Sequence, residues 1–175
     1  GELGFEIYAD SDKISGIWDG IMAAGKDKGL MPAGLGCRDT LRMEMKYVLY
    51  GNDIDETTTP IEAGLGWITR LGKDDFIGKD ALLKAKSNVT RRLVCLKMSE
   101  RAIPRKGCPI IVDNNIVGEI TSGTMSPSLD EGIGMGYLKE ELTNAGTKLL
   151  VDIRGRLKTS TVIKPPFYRK GSLID

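Results

Sequence analysis

A chain of 175 residues is long enough to bury a hydrophobic core and somewhat long for one small domain. Its 25 Lys and Arg nearly cancel its 24 Asp and Glu, and 41% of its residues are apolar. That balance fits a soluble globular protein with no general attraction for nucleic acid or a membrane, and no apolar run approaches membrane-spanning length.

The chain opens with Leu3, Phe5 and Ile7 alternating with Gly4, Glu6 and Tyr8, which predicts a short strand rather than a leader peptide. With no initiator Met, it is expected to begin mid-protein. Asp10 or Ser11 is placed to cap a helix carrying Ile14, Ile17, Trp18, Ile21 and Met22 at helical spacing, ended by Gly25 and the glycine and proline of 29–32. A second helix is expected over 38–47, with Leu41, Met45 and Val48 on one face. Residues 50–60 are dense in turn formers and acids and read as a long ordered or functional loop. A short helix follows over 79–86. Beyond residue 91 come six short β-branched stretches, at 93–98, 109–113, 116–121, 133–138, 148–153 and 159–164. Asn114-Asn115 marks a hairpin turn, and the spacing predicts one compact antiparallel sandwich or barrel. The domain boundary is expected in the polar stretch 87–90, dividing the chain into 1–88 and 89–175.

With no histidine, a His triad or His general base is excluded, and acid–base work would fall to carboxylates, Lys, Tyr or Cys. Cys37, Cys95 and Cys108 form no C-x-x-C pair and are expected to be buried or neutral thiols in a reducing cytoplasm. Periodicity alone makes Glu6 a polar strand position, and Arg38, Asp39, Arg42 and Glu44 ordinary charges on a helix surface. The acids Asp53, Asp55 and Glu56 superficially resemble a calcium loop but lack its ligand spacing. Gly132, Gly134 and Gly136 alternate with Ile133, Met135 and Tyr137, which suits a strand needing close packing rather than a phosphate cradle.

Several stretches resemble the T-protein family of the glycine cleavage system. Gly1-Glu-Leu-Gly-Phe-Glu-Ile-Tyr8 is similar to the strand after that family's Thr-Gly-Tyr-Thr motif, and Gly36-Cys-Arg-Asp-Thr-Leu-Arg-Met-Glu44 to its G-x-R-D-x-L-R-x-E helix start. Leu49-Tyr-Gly-Asn-Asp-Ile-Asp-Glu-Thr-Thr-Thr-Pro-Ile-Glu62 is the family's most recognisable segment. Phe76-Ile-Gly-Lys-Asp-Ala-Leu82, Thr121-Ser-Gly-Thr-Met-Ser-Pro-Ser-Leu129 and Ile133-Gly-Met-Gly-Tyr137 follow in the family's order.

The resemblance implies an α+β protein: a partial folate-binding α/β domain followed by a small antiparallel β-barrel or sandwich. It implies a cytoplasmic aminomethyltransferase (mitochondrial in a eukaryote) that takes the aminomethyl group from the lipoyl arm of the H-protein. Ammonia is released, and the one-carbon unit passes to tetrahydrofolate, the co-substrate. Glu6 matches the family's pterin-binding glutamate, whose carboxylate accepts two parallel donors from the pterin edge. Arg38 matches the arginine of the folate site, and Arg169 is a candidate for a further folate contact in the variable tail. No catalytic residue is assigned, because the family's aspartate belongs to a portion upstream of these motifs. Asp39, Asp53 and Asp55 are expected in helix-start or mobile positions with nothing aiming them at the pterin. The chain alone is therefore expected to be inactive, with apolar surface left uncovered. Two alternatives are the folate-binding half of a dimethylglycine or sarcosine oxidase and a folate-binding module without catalysis.

Overall fold

A computed structural model describes residues 4–170, which divide into two compact units: the described chain up to Asp39 together with Lys170, and Thr40–Arg169. The first unit is built on α1 (Ile14–Gly25). Apolar residues at helical spacing make this segment a helix, yet Ile14, Trp18 and Ile21 remain 40%, 53% and 40% exposed. Its start is closed by backbone, not by the side chain expected of Asp10 or Ser11. The Asp10 carbonyl accepts the amides of Lys13 and Ile14 at 3.0 and 3.1 Å, and Lys13 occupies the cap position without a side-chain bond. The Asp10 carboxylate pairs with the Lys13 ammonium at 2.8 Å instead. A 3-10 turn, Lys26–Lys28, ends the helix in a Schellman arrangement, with the Leu30 amide on the Gly25 carbonyl at 3.1 Å and Gly29 at φ 76°.

The strand expected at the chain's start does not form among the described residues: 4–10 are irregular, and Phe5 is 98% exposed. A strand is made by its neighbour's hydrogen bonds, and no described strand pairs with this one. Leu3 lies outside the described residues.

The second helix, α2, spans Leu35–Glu44, three residues earlier than its spacing suggests. The Gly34 carbonyl accepts the Cys37 and Arg38 amides and starts it early. It stops because Lys46 turns left-handed, at φ 58°. The Tyr47 amide then reaches back to the Arg42 carbonyl at 2.8 Å and the Lys46 amide to the Met43 carbonyl at 2.9 Å. Leu41, Met45 and Val48 therefore do not share a helix face, and Met43 is the fully buried apolar residue of α2.

Turns carry the chain through 45–78 to α3 (Lys79–Ser87), and six strands follow. These are β1 (Arg91–Met98), β2 (Pro109–Val112), β3 (Asn115–Ser126), β4 (Glu131–Lys139), β5 (Lys148–Ile153) and β6 (Arg156–Ile163). They close into a barrel in the order β1-β4-β3-β2-β5-β6, every neighbour antiparallel. The expected antiparallel β domain is thus a barrel, and the α+β class holds. The β2–β3 hairpin turns on Asp113 and Asn114, both left-handed at φ 48° and 61°, one residue before the expected pair.

Two clusters form the core. Leu96, Ile110, Ile120, Leu138, Val151 and Val162 fill the barrel, while Leu93, Cys95, Ile133 and Met135 pack with Met43 and Phe167 in a second cluster. Strands β1 and β4 are therefore buried on both faces. The alternating glycines of β4 serve the close packing their pattern implied. A Cβ at Gly136 would lie 2.6 Å from the Glu119 carbonyl oxygen, and one at Gly132 would strike the Ala102 carbonyl.

Candidate functional site

The charges of α2 that periodicity assigned to a helix surface are buried: Arg42 is 8% exposed and Glu44 2%. Buried charges demand partners, and both have them. The Arg42 guanidinium donates to the Asp53 carboxylate at 2.6 Å, to the Tyr47 carbonyl at 3.1 Å and to the Ser122 hydroxyl of β3 at 3.1 Å. Asp53 accepts in addition the Thr121 hydroxyl at 2.6 Å and the Leu49 amide at 2.9 Å. The Tyr137 hydroxyl of β4 donates to the Asp53 carbonyl at 2.9 Å. Far from lying in a mobile stretch, Asp53 is 1% exposed and holds the start of the 50–60 loop against the barrel.

Glu44 makes the companion contact. Its carboxylate accepts the Ser126 hydroxyl, the Ser128 amide at 3.0 Å and the Ser128 hydroxyl at 2.8 Å. At the far end of the loop, Glu62 accepts the Thr59 amide and the Arg91 guanidinium, each at 2.9 Å. Burial opposes ionisation of Glu62, but the Thr59 amide, Arg91 and the Thr59 hydroxyl together hold its carboxyl below the ordinary value. Arg91 also lies over the Tyr137 ring at 4.8 Å, and burial, more than any nearby charge, pushes that phenol up to about 12. Tyr137 is therefore a neutral donor.

This network fixes rather than reacts. Both oxygens of Asp53 and of Glu44 accept from protein donors, which ties the 50–60 loop and the end of α2 to β3 and the turn after it. No group of His, Cys, Asp or Glu among the described residues could hold a metal ion, and Asp55 is engaged with Thr57 instead. Burial raises the Cys95 thiol to about 12; Cys108 is half-buried and Cys37 exposed.

The residues singled out by the family resemblance lie outside this network. Glu6 is exposed and accepts the Tyr8 hydroxyl at 2.6 Å. Arg38 is exposed on α2, one turn before the anchored Arg42. Arg169 is exposed and donates to the Lys164 and Pro165 carbonyls at 3.3 and 3.0 Å. Arg42, Glu44, Asp53, Thr121 and Ser122 escaped the residue-level reading. Their signal was membership of three separate motifs, not any spacing within one.

The GCVT N-terminal domain pattern matches residues 1–73, and that of the glycine cleavage T-protein C-terminal barrel domain matches residues 91–169. Aminomethyltransferase from Halothermothrix orenii is 52% identical over 168 residues, which is 95% of this chain and 47% of that protein. The enzyme from Bacteroides thetaiotaomicron is 49% identical over 173 residues, 97% of this chain and 48% of its own. The crystal structure of the glycine cleavage system aminomethyltransferase T from Bartonella henselae superposes with a TM-score of 0.82 at 32% identity, covering 89% of this chain and 44% of that one. The chain thus spans about half the length of the relatives it matches. Two ordered domain matches, about half of all residues identical and a shared fold together make this chain a member of the glycine cleavage T-protein family.

Proposed function

We propose that this chain is part of a folate-dependent aminomethyltransferase of the glycine cleavage system. In this reading the complete protein takes the aminomethyl carbon from the lipoyl arm of the H-protein. It passes the carbon to tetrahydrofolate in the cytoplasm (or mitochondrial matrix) and releases ammonia. The observation that carries it is the pair of ordered domain matches, supported by relatives named aminomethyltransferase at about half identity. Residues 1–88 then belong to the folate-binding region and 89–175 to the barrel domain.

Glu6 and Arg38 are the residues this reading assigns to folate. The Glu6 carboxylate is exposed and, among the described residues, accepts the Tyr8 hydroxyl on one oxygen, so it has lone pairs to accept the two parallel N–H donors of a pterin edge. Arg38 offers a planar fork to a carboxylate. Arg169, already tied to two carbonyls, is the weaker contact.

The test is tetrahydrofolate saturation of the complete enzyme with and without Glu6→Ala. Loss of a charge-assisted hydrogen bond of about 1.5–3 kcal/mol predicts a roughly 10–150-fold higher tetrahydrofolate requirement. An unchanged requirement would leave Glu6 with no part in folate binding.

A further inference from the structure

The Schellman closure of α2 places a lysine where glycine is usual: Lys46 sits at φ 58°, a conformation that strains any side chain with a Cβ. A helix end that retains a side chain at this cost suggests that the side chain has work to do. Lys46 is half-buried, and its ammonium donates to a neutral acceptor, the Ala63 carbonyl, at 3.0 Å. No ion pair joins it to a carboxylate among the described residues; the Asp53 carboxylate acts on it only through space and is itself held by Arg42. Burial lowers the Lys46 ammonium from its ordinary value, as expected of a cation drawn out of water without a counter-ion.

Lys46 also lines two grooves of the second unit. One, of about 290 Å³, contains Lys46, Arg92 and Lys164 and is lined by no carboxylate. Arg92 is paired there with Glu140 at 2.6 Å, whereas Lys46 and Lys164 have no ion-pair partner among the described residues. The other, of about 490 Å³, is lined by Tyr47, Trp67, Ile68 and Pro166, and shares Lys46 and Pro165 with the first. Trp67 is 78% exposed and Ile68 54%, so apolar surface lies open beside an ammonium that has no ion-pair partner among the described residues.

We infer that these two grooves form one binding site for an amphiphilic organic anion, its carboxylate or phosphate on Lys46 and Lys164 and its aromatic or apolar body along Tyr47, Trp67 and Ile68. This site uses neither Glu6 nor Arg38 and stands whether or not the folate assignment does. An ammonium with hydrogen-bonding capacity left over and an apolar shelf beside it are complementary to that ligand class.

Phenyl phosphate, benzoate and inorganic phosphate are suitable probes for NMR titration of the whole 175-residue chain. The Trp67 indole N–H, assigned through Trp67→Phe, serves as reporter. Phenyl phosphate should shift that resonance and bind about tenfold or more tightly than inorganic phosphate, because its ring is removed from water. Benzoate should follow the same path more weakly. Lys46→Gly keeps the left-handed helix end, so it should hold or raise the denaturation midpoint while abolishing the shift. Lys164→Gln, an exposed change, should weaken binding without affecting folding. Absence of binding by the unaltered chain would overturn the inference. So would phenyl phosphate binding no better than phosphate, or binding retained by a folded Lys46→Gly variant.

Discussion

The pair formed by Arg42 and Asp53 shows how an ordinary-looking helix charge becomes indispensable to the fold. Both side chains are buried, and Tyr47, Leu49, Thr121, Ser122 and Tyr137 are among the partners that satisfy or flank them. Replacing both with apolar residues could be harmless, but removing one strands the other's charge out of water. Arg42→Met is therefore expected to destabilise the second unit by about 3–5 kcal/mol, read as a shift in urea midpoint at unchanged slope. A cost below 1 kcal/mol would mean the pair is solvated in solution. Glu62 predicts a pH dependence of the opposite origin. Its folded carboxyl titrates below the ordinary 4.5, so its stabilising contribution is complete above that value and lost as pH falls through the folded value. The stability gap between the unaltered chain and Glu62→Gln should be constant from pH 5 to 7 and shrink on acidification below about 4.5. A gap that widens in acid would contradict the Thr59 and Arg91 contacts.

Among the elements, β4 has the least freedom. Its sequence alternates glycine with large residues because both its faces are packed, and Gly132 and Gly136 meet backbone. Gly136→Ala would set a methyl group 2.6 Å from the Glu119 carbonyl on the paired strand. The ladder must shift to admit it, at a cost of about 1–3 kcal/mol. At Gly134 the nearest obstacle is the Pro104 side chain at 3.1 Å, so Gly134→Ala should cost less. Thermal unfolding of the two variants would check the order, and equal losses would contradict the register given by β3 and β4. The helices illustrate the other limit. α1 reads clearly from periodicity because an amphipathic stripe repeats over its length, while the start and end of α2 were misplaced. Its boundaries are decided by the Gly34 carbonyl and the left-handed Lys46, neither of which contributes to a hydrophobic period.

For the molecule as a whole, the two units differ in what holds them. The barrel encloses a core of its own, whereas no residue from Gly4 to Asp39 is buried. A helix of 12 residues without a buried face is marginal in water. Hydrogen exchange of the isolated chain should therefore show strong protection in β1, β3, β4 and β6 and little in α1. Comparable protection in both would require something to cover Ile14, Trp18 and Ile21. Catalysis follows the same division. The 175-residue chain, given aminomethylated H-protein and tetrahydrofolate, should form no methylene-tetrahydrofolate above the uncatalysed rate. Its folate candidates are exposed, and its buried carboxylates are fully engaged, so the positioning that lowers such barriers is missing. Turnover would show that a complete site resides here.

By itself the sequence determined the α+β class, the extents of α1 and α3 to within a residue or two, all six strands and the family. Each rests on a local period or on motifs readable in order along the chain. The irregular backbone of residues 4–10, the limits of α2 and the choice of barrel over sandwich were decided only in three dimensions. So was the conversion of Arg42, Glu44 and Asp53 from apparent surface charges into the clamp on the 50–60 loop. The physical reason is shared: strands, closures and buried ion pairs are made by partners distant in the chain. Arg42 meets Ser122, and Glu44 meets Ser126 and Ser128, across some eighty residues that no local pattern spans.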